Sequence, residues 1–331
     1  MKVVFCLSGQ AFDFYCTMTR VAISTVRVSN PISYIYLVCD HKTYESLSAL
    51  SDPLLLEVNE VKVIDIQGGD SVYKSRFLKT SLGNVIDGPF LFLDSDIVVR
   101  REFNFEFLPE IDLAACRNHS RVEINEQISK SDFDALTNLG GSLGQLDYVN
   151  SGVLFFSGTD LSKEISSEWH KVWLENYKKT GFVADQPSLY FVLSSGKFKI
   201  QILPETYNAQ IYTRFWFFSD YSVLDCHGSP IDYNSIIWHY NASLYTKVWY
   251  TTFESLVMKL LVTRVFNKSD INRLVSDNFP WIRRDYLDDL VYWRMRKTPI
   301  ITELYRSWII GKRLYCIRLW CSRKIKSLLS Y

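Results

Sequence analysis

The chain has 331 residues, 47% of them hydrophobic, enough apolar material for one domain of about 200 to 250 residues plus an appendage and too much for extensive disorder. Lysine and arginine number 37 against 36 aspartate and glutamate, and a formal net charge of +1 argues against general affinity for nucleic acid. The charge is unevenly spread: residues 294–331 hold ten basic side chains against the single acid Glu303, leaving 27 basic and 35 acidic residues in the body.

Met1 to Leu7 is too short an apolar run for a signal peptide. Val3 to Leu7 reads as a buried parallel strand that ends in Ser8-Gly9-Gln10, and helical spacing follows from about Phe12 to Val28. Ser33 to Asp40 is a second strand, His41 to Leu50 a helix, Val58 to Ile66 a third strand and Ser71 to Ile86 a helix. Next comes Phe90 to Val99, apolar except for Asp94-Ser95-Asp96. In an extended strand residues i and i+2 share a face, so the two carboxylates can converge on one hard cation; the alternative is a solvated or capping strand end.

Asp112 to Cys116 reads as a short strand, and the polar, glycine-containing stretch from Arg117 to Leu146 as a mobile or partly helical excursion and candidate acceptor loop. Asp147 to Phe156 is an apolar strand interrupted by Asn150-Ser151-Gly152. Leu161 to Lys178 is an amphipathic helix, and Asp185 to Leu193 a helix with Asp185 as N-cap and Pro187 in its first turn. Phe198 to Leu203 and Ser235 to Trp238 are further strands. Strands alternating with helices give an α/β fold on a mainly parallel sheet, whose ligands sit beyond the carboxyl ends of its strands, where Ser8-Gly9-Gln10 and Asp94-Ser95-Asp96 both fall.

Seven cysteines without a Cys-x-x-Cys pair suit reduced thiols in a reducing compartment, and no apolar run is long enough to span a membrane. Neither a Walker loop nor a Gly-x-Gly-x-x-Gly turn follows the first strand, which disfavours ATP hydrolysis and nicotinamide chemistry.

Leu93-Asp94-Ser95-Asp96, Tyr148-Val149-Asn150-Ser151-Gly152-Val153, Ala184-Asp185-Gln186 and Trp238-His239-Tyr240, in that order, resemble the family 8 glycosyltransferases over roughly residues 1–250. The resemblance is to the bacterial enzymes of lipopolysaccharide or capsule synthesis. It implies a GT-A fold, a Rossmann-like nucleotide-diphospho-sugar transferase domain, over 1–250; the residues of 251–331 themselves read as a helical, basic and aromatic region. It also implies a divalent ion, most often manganese, held by Asp94, Asp96 and His239. Two carboxylates and an imidazole suit Mn2+ or Mg2+, the nitrogen tilting the choice toward manganese. Otherwise His239 would be a packed core residue.

By the same resemblance Arg76 lies near the sugar and diphosphate, Asn150 and Ser151 meet the donor sugar, Asp185 binds sugar hydroxyls and Gln186 sits beneath the anomeric carbon. Ser8, Gly9 and Ser95 belong to the donor site as well. Ser8-Gly9-Gln10 departs from the family's acidic signature, so uridine is implied by family alone. Lys247 is a candidate diphosphate contact or an exposed lysine, since the stretch after His239 departs from the family's spacing. Asn150 has the alternative of a bulge, and Asp185 that of a simple N-cap.

The expected activity is transfer of a hexose from a nucleotide sugar, UDP-hexose by family, to a glycan or lipid-linked glycan, with retention of configuration. Apolar stripes and tryptophans beside the basic residues of 294–331 suit either an anionic membrane surface or packing on the body, and the former places the enzyme on the cytoplasmic face of the inner membrane. The rivals are a haloacid-dehalogenase-type phosphohydrolase, which also carries Asp-x-Asp after an apolar strand, and a catalytically silent sugar-binding or membrane scaffold protein.

Overall fold

A computed structural model describes residues 1–105, 110–118, 128–144, 146–211, 235–240 and 252–276. The chain divides into two units, Met1–Trp281 and Ile282–Tyr331, and every described residue belongs to the first. The basic tail and Lys247 therefore lie outside the described residues.

The first unit opens with strand β1 (Lys2–Leu7), helix α1 (Phe14–Ser29), β2 (Tyr34–Asp40), α2 (His41–Ala49), the short α3 (Leu54–Glu57), β3 (Glu60–Ile64) and α4 (Ser71–Thr80). β4 (Phe90–Leu93), β5 (Ile97–Val99), β6 (Leu113–Arg117) and α5 (Lys130–Asn138) follow. β7 (Val149–Phe156), α6 (Asp160–Thr180), α7 (Gln186–Leu193), β8 (Ile200–Leu203), β9 (Ala209–Gln210) and β10 (Ile237–His239) come next, then α8 (Thr252–Thr263) and α9 (Lys268–Ser276).

Seven strands form the central sheet in the order β3-β2-β1-β4-β7-β6-β8. All neighbours are parallel except β7, antiparallel to both β4 and β6. β1 and β4 read as unbroken apolar runs because both their faces are covered: Val3, Phe5 and Leu91 pack on the α1 side, Val4, Phe90 and Phe92 on the side of α4 and α6. Trp169 and Trp173 of α6 are fully buried in the second layer, each contributing on the order of 3 kcal/mol of burial.

Helix starts follow the capping chemistry of the sequence: the side chains of Asp13, Asp40, Asp70 and Thr159 accept from the first-turn N–H groups of α1, α2, α4 and α6. Asp185 does not. It flanks α7, but its side chain makes no capping bond because it is drawn toward the cations of α4.

One sequence expectation changes. Phe90 to Val99 is not one strand: β4 ends at Leu93, the chain turns through Asp94–Asp96, and β5 leaves the central sheet to join β10 and β9 in a second, three-stranded sheet. β7 is one continuous strand, but its pairing with β6 is interrupted at Asn150-Ser151-Gly152: Ala115 faces Leu154 and Arg117 faces Val149, so the extra residues lie on β7, as the bulge alternative for Asn150 expects. Residues 252–276 pack through Phe253, Val257 and Ile271 on Phe14, Met18 and Val21 of α1.

Candidate active site

The acidic turn sits where three strands meet. Asp94 N–H donates to Gly152 O at 2.8 Å, tying the end of β4 to β7, and Tyr240 N–H donates to Asp96 O at 2.8 Å, tying the turn to β10. Antiparallel pairing sets His239 opposite Ile97, one residue past Asp96. That register brings together residues 143 positions apart, and His239 Nε2 stands 3.2 Å from Asp96 Oδ1. One donor atom from each of Asp94, Asp96 and His239 lies within 4.8 Å of the others.

Gly152 makes room for this grouping. A β-carbon there would collide with His239 Cε1 and stand 2.8 Å from Asp94 Oδ2, so the ring and the carboxylate share the space a side chain would fill. This glycine is required by crowding and not by its backbone angle.

Helix α4 supplies the cations. Arg76 and Lys79, three residues apart, share a helix face. Lys79 is 2% exposed, yet its ammonium is 3.2 Å from both Asp94 oxygens, 3.1 Å from Ser151 Oγ and 3.3 Å from Asp185 Oδ2. Arg76 Nε approaches Asp185 Oδ1 at 3.2 Å. Neither contact to Asp185 has hydrogen-bond geometry, so Asp185 Oδ2 and Arg76 Nε are buried with bonding capacity to spare. The loop carrying Asp185 is fixed from below, where Trp169 Nε1 donates to Asp185 O at 2.9 Å and Trp173 Nε1 to Val183 O at 3.0 Å.

Burial alone would raise the Asp185 carboxyl, but Lys79 and Arg76 more than offset it and hold it below the ordinary carboxylate value. For His239 burial favours the neutral ring, while Asp96 and Asp94 overcome it and raise the pKa above the ordinary imidazole value. Arg76 is likewise held charged, against its burial, by Asp185, Asp94 and Asp96.

Gln186, next to Asp185, accepts at Oε1 from Ser151 N–H at 3.4 Å. The Tyr148 hydroxyl donates to Asp132 Oδ2 of α5 at 3.3 Å, so the excursion between β6 and β7 is tied to the start of β7 through one helix.

Asn150 does not face open space. Its amide accepts from Gly152 N–H and Asn208 Nδ2, both at 2.9 Å, and donates to Asn118 Oδ1 at 3.1 Å. Ser95 shares a 2.7 Å hydroxyl–hydroxyl bond with Thr19 of α1. Ser8 is buried; Asp40, at the end of β2, is paired with Lys74 at 3.2 Å, and Gly9 N–H donates to Thr43 Oγ1 at 3.0 Å. Gly9 is small because Asp13 lies against it: a β-carbon would stand 2.6 Å from Asp13 Oδ2. The structure thus gathers Arg76, Asp94, Asp96, Ser151, Asp185, Gln186 and His239, and sets Ser8 and Gly9 on the same sheet edge, after β1.

Lys79 and Asn208 were not singled out by sequence. Lys79 had one available signal, its position three residues after Arg76 on a face otherwise turned to the core. Asn208 had none, being a single amide in a short connection.

Comparison with known proteins bears on what this arrangement is. The sequence pattern of the nucleotide-diphospho-sugar transferase family matches residues 33–242. Among solved structures, the galactosyltransferase LgtC in complex with donor and acceptor sugar analogues is similar at 15% identity and a TM-score of 0.50, over 86% of this chain and 99% of that one. The glycosyltransferase GlyE of Streptococcus pneumoniae TIGR4 is similar at 19% identity and a TM-score of 0.50, over 86% of this chain and 66% of that one. No curated protein matches in sequence. The central sheet with its flanking helices is a GT-A fold.

Proposed function

The chain belongs to the nucleotide-diphospho-sugar transferase family and is a glycosyltransferase, and from that premise we propose that it transfers a hexose from a UDP-sugar, with a divalent cation at Asp94, Asp96 and His239 and with retention of configuration. One observation carries the reading: three side chains from two sheets present two carboxylates and an imidazole within 4.8 Å. The donor set fits a hard divalent ion, Mn2+ ahead of Mg2+ because of the nitrogen, and the missing side chain at Gly152 lets the His239 ring and the Asp94 carboxylate come together. A cation bound there supplies Lewis-acid neutralisation of the departing diphosphate.

The protein's own groups do the rest. With His239 neutral, as a metal ligand must be, Asp94, Asp96 and Asp185 set three carboxylates against the two cations Arg76 and Lys79, an excess of negative charge suited to a further cation. Arg76 contacts the donor's diphosphate, a role that the 33% exposure of its side chain supports. Asp185, with an unfilled acceptor, binds sugar hydroxyls, and Ser8, Gly9, Ser95 and Ser151 line the donor side. Gln186 sits beneath the anomeric carbon, its amide polarity stabilising positive charge that develops there. No separate base is needed, because the leaving diphosphate can take the acceptor's proton.

The acceptor is a glycan or lipid-linked glycan of lipopolysaccharide or capsule type, and Lys247 adds a diphosphate contact. The ten basic residues of 294–331 support work at the cytoplasmic face of an anionic inner membrane, with the catalytic domain over 1–250. Family membership sets aside the phosphohydrolase reading of Asp-x-Asp.

The test is turnover of a panel of nucleotide sugars with and without Mn2+. UDP-hexose turnover that needs Mn2+ and disappears in Asp96→Ala is expected. Equal turnover in chelator, or in that variant, would refute the metal assignment.

A further inference from the structure

We propose that Asn208 is a positioning residue for the cation site: it fixes the His239 ring in the one tautomer that turns a lone pair toward Asp94 and Asp96. The inference rests on the reading of His239 as a cation ligand and adds what selects its nitrogen.

A chain of four buried side chains leads to that ring, with Asn118, Asn150, Asn208 and His239 exposed by 7%, 6%, 1% and 3%. Its polarity is set at one end by the backbone. Gly152 N–H can only donate, so the Asn150 atom it meets at 2.9 Å is the carbonyl Oδ1. The same oxygen meets Asn208 at 2.9 Å, so that Asn208 atom is the donor Nδ2. The remaining Asn208 atom, 3.0 Å from His239 Nδ1, is therefore a carbonyl oxygen, which can only accept. Nδ1 must carry the hydrogen. A neutral imidazole has one N–H and one lone pair, so the lone pair lies on Nε2, the nitrogen on the Asp96 side.

The backbone holds both ends of this arrangement in place. Asn208 N–H donates to Glu205 O at 2.9 Å, and Ile211 N–H donates to His239 O at 2.7 Å. Without the Asn208 oxygen the ring could carry its hydrogen on Nε2, pointing a donor at the place a cation occupies. Removing partners that orient a ligating histidine typically weakens metal binding by about 10- to 100-fold.

The test uses the full chain and Mn2+ alone, with dissociation constants from free-Mn2+ electron paramagnetic resonance and directly bonded nitrogen from pulsed measurements. Wild type is expected to show one coordinated nitrogen that His239→Ala removes; its absence from wild type would overturn the ligand reading itself. Asn208→Leu, close in shape but without an acceptor, is expected to bind Mn2+ about 10- to 100-fold more weakly with the nitrogen signal lost. Asn208→Asp, which keeps an acceptor for Nδ1–H, is expected to retain the signal. Wild-type affinity and nitrogen coupling in Asn208→Leu would overturn the proposal while leaving His239 as a ligand. If the leucine variant melts below the assay temperature, Asn208→Ala carries the same comparison.

Discussion

Replacing Lys79 with methionine keeps the length and apolar stem of the side chain and removes only its charge. In the native site that ammonium lies 3.2 Å from Asp94 Oδ1 and 3.3 Å from Asp185 Oδ2. At an effective dielectric of about 20, each pair is worth roughly 5 kcal/mol before desolvation is counted. Removing one partner from a buried ion pair typically costs about 3–5 kcal/mol net. Arg76 still faces Asp185, and Asp94 keeps 22% of its side chain exposed, so the low end applies, about 3 kcal/mol. At about 2 °C per kcal/mol for a domain of this size, Tm should fall by about 6 °C at pH 7 without metal. Thermal unfolding followed by circular dichroism reads this directly. Mn2+ should restore part of the loss, because it replaces the missing positive charge beside Asp94. A Tm within 1 °C or so of wild type, or a loss that Mn2+ does not reduce, would refute the electrostatic account of the site.

Gly152→Ala should overpack the contact between His239 and Asp94, costing about 1–3 kcal/mol, and should weaken Mn2+ binding in calorimetric titration with no change of net charge. The depressed pKa values of Asp40 and Asp185 fix the sign of the acid response. Each contributes stability that is present above the unfolded carboxylate value near 3.9 and is lost as pH falls through the lower native value. Urea titrations from pH 6 down to about pH 2 should therefore lose stability mainly below about pH 4, and less steeply in Lys74→Met, whose Asp40 gains less on folding.

Most of the central sheet was legible because its inner strands, buried on both faces, are continuous apolar runs, and β1, β2 and β4 fall within one residue of their expected starts. Helix starts were legible where an aspartate or threonine truly caps, as at Asp40 and Thr159. The failures share a cause. That Ile97–Val99 would leave one sheet for another depends on its pairing with Ile237–His239, a long-range register that no local pattern encodes. Asp185 was placed correctly in the chain but given the wrong immediate partner, since its side chain answers Lys79 and Arg76 and not its own helix. Asn150 was expected to meet the donor sugar or to mark a bulge. The structure shows Asn118, Asn208 and Gly152 as its partners, and only tertiary contact could have revealed them.

The central claim is that Asp94, Asp96 and His239 close around one cation beside the donor diphosphate. Crystals grown with Mn2+ and UDP, with anomalous diffraction collected at the manganese edge, test it most directly. The account predicts a single strong peak bonded to both carboxylates and to His239 Nε2 at about 2.0–2.3 Å, with diphosphate oxygens completing the shell. A peak elsewhere, or UDP bound with no manganese between these three residues, would contradict it.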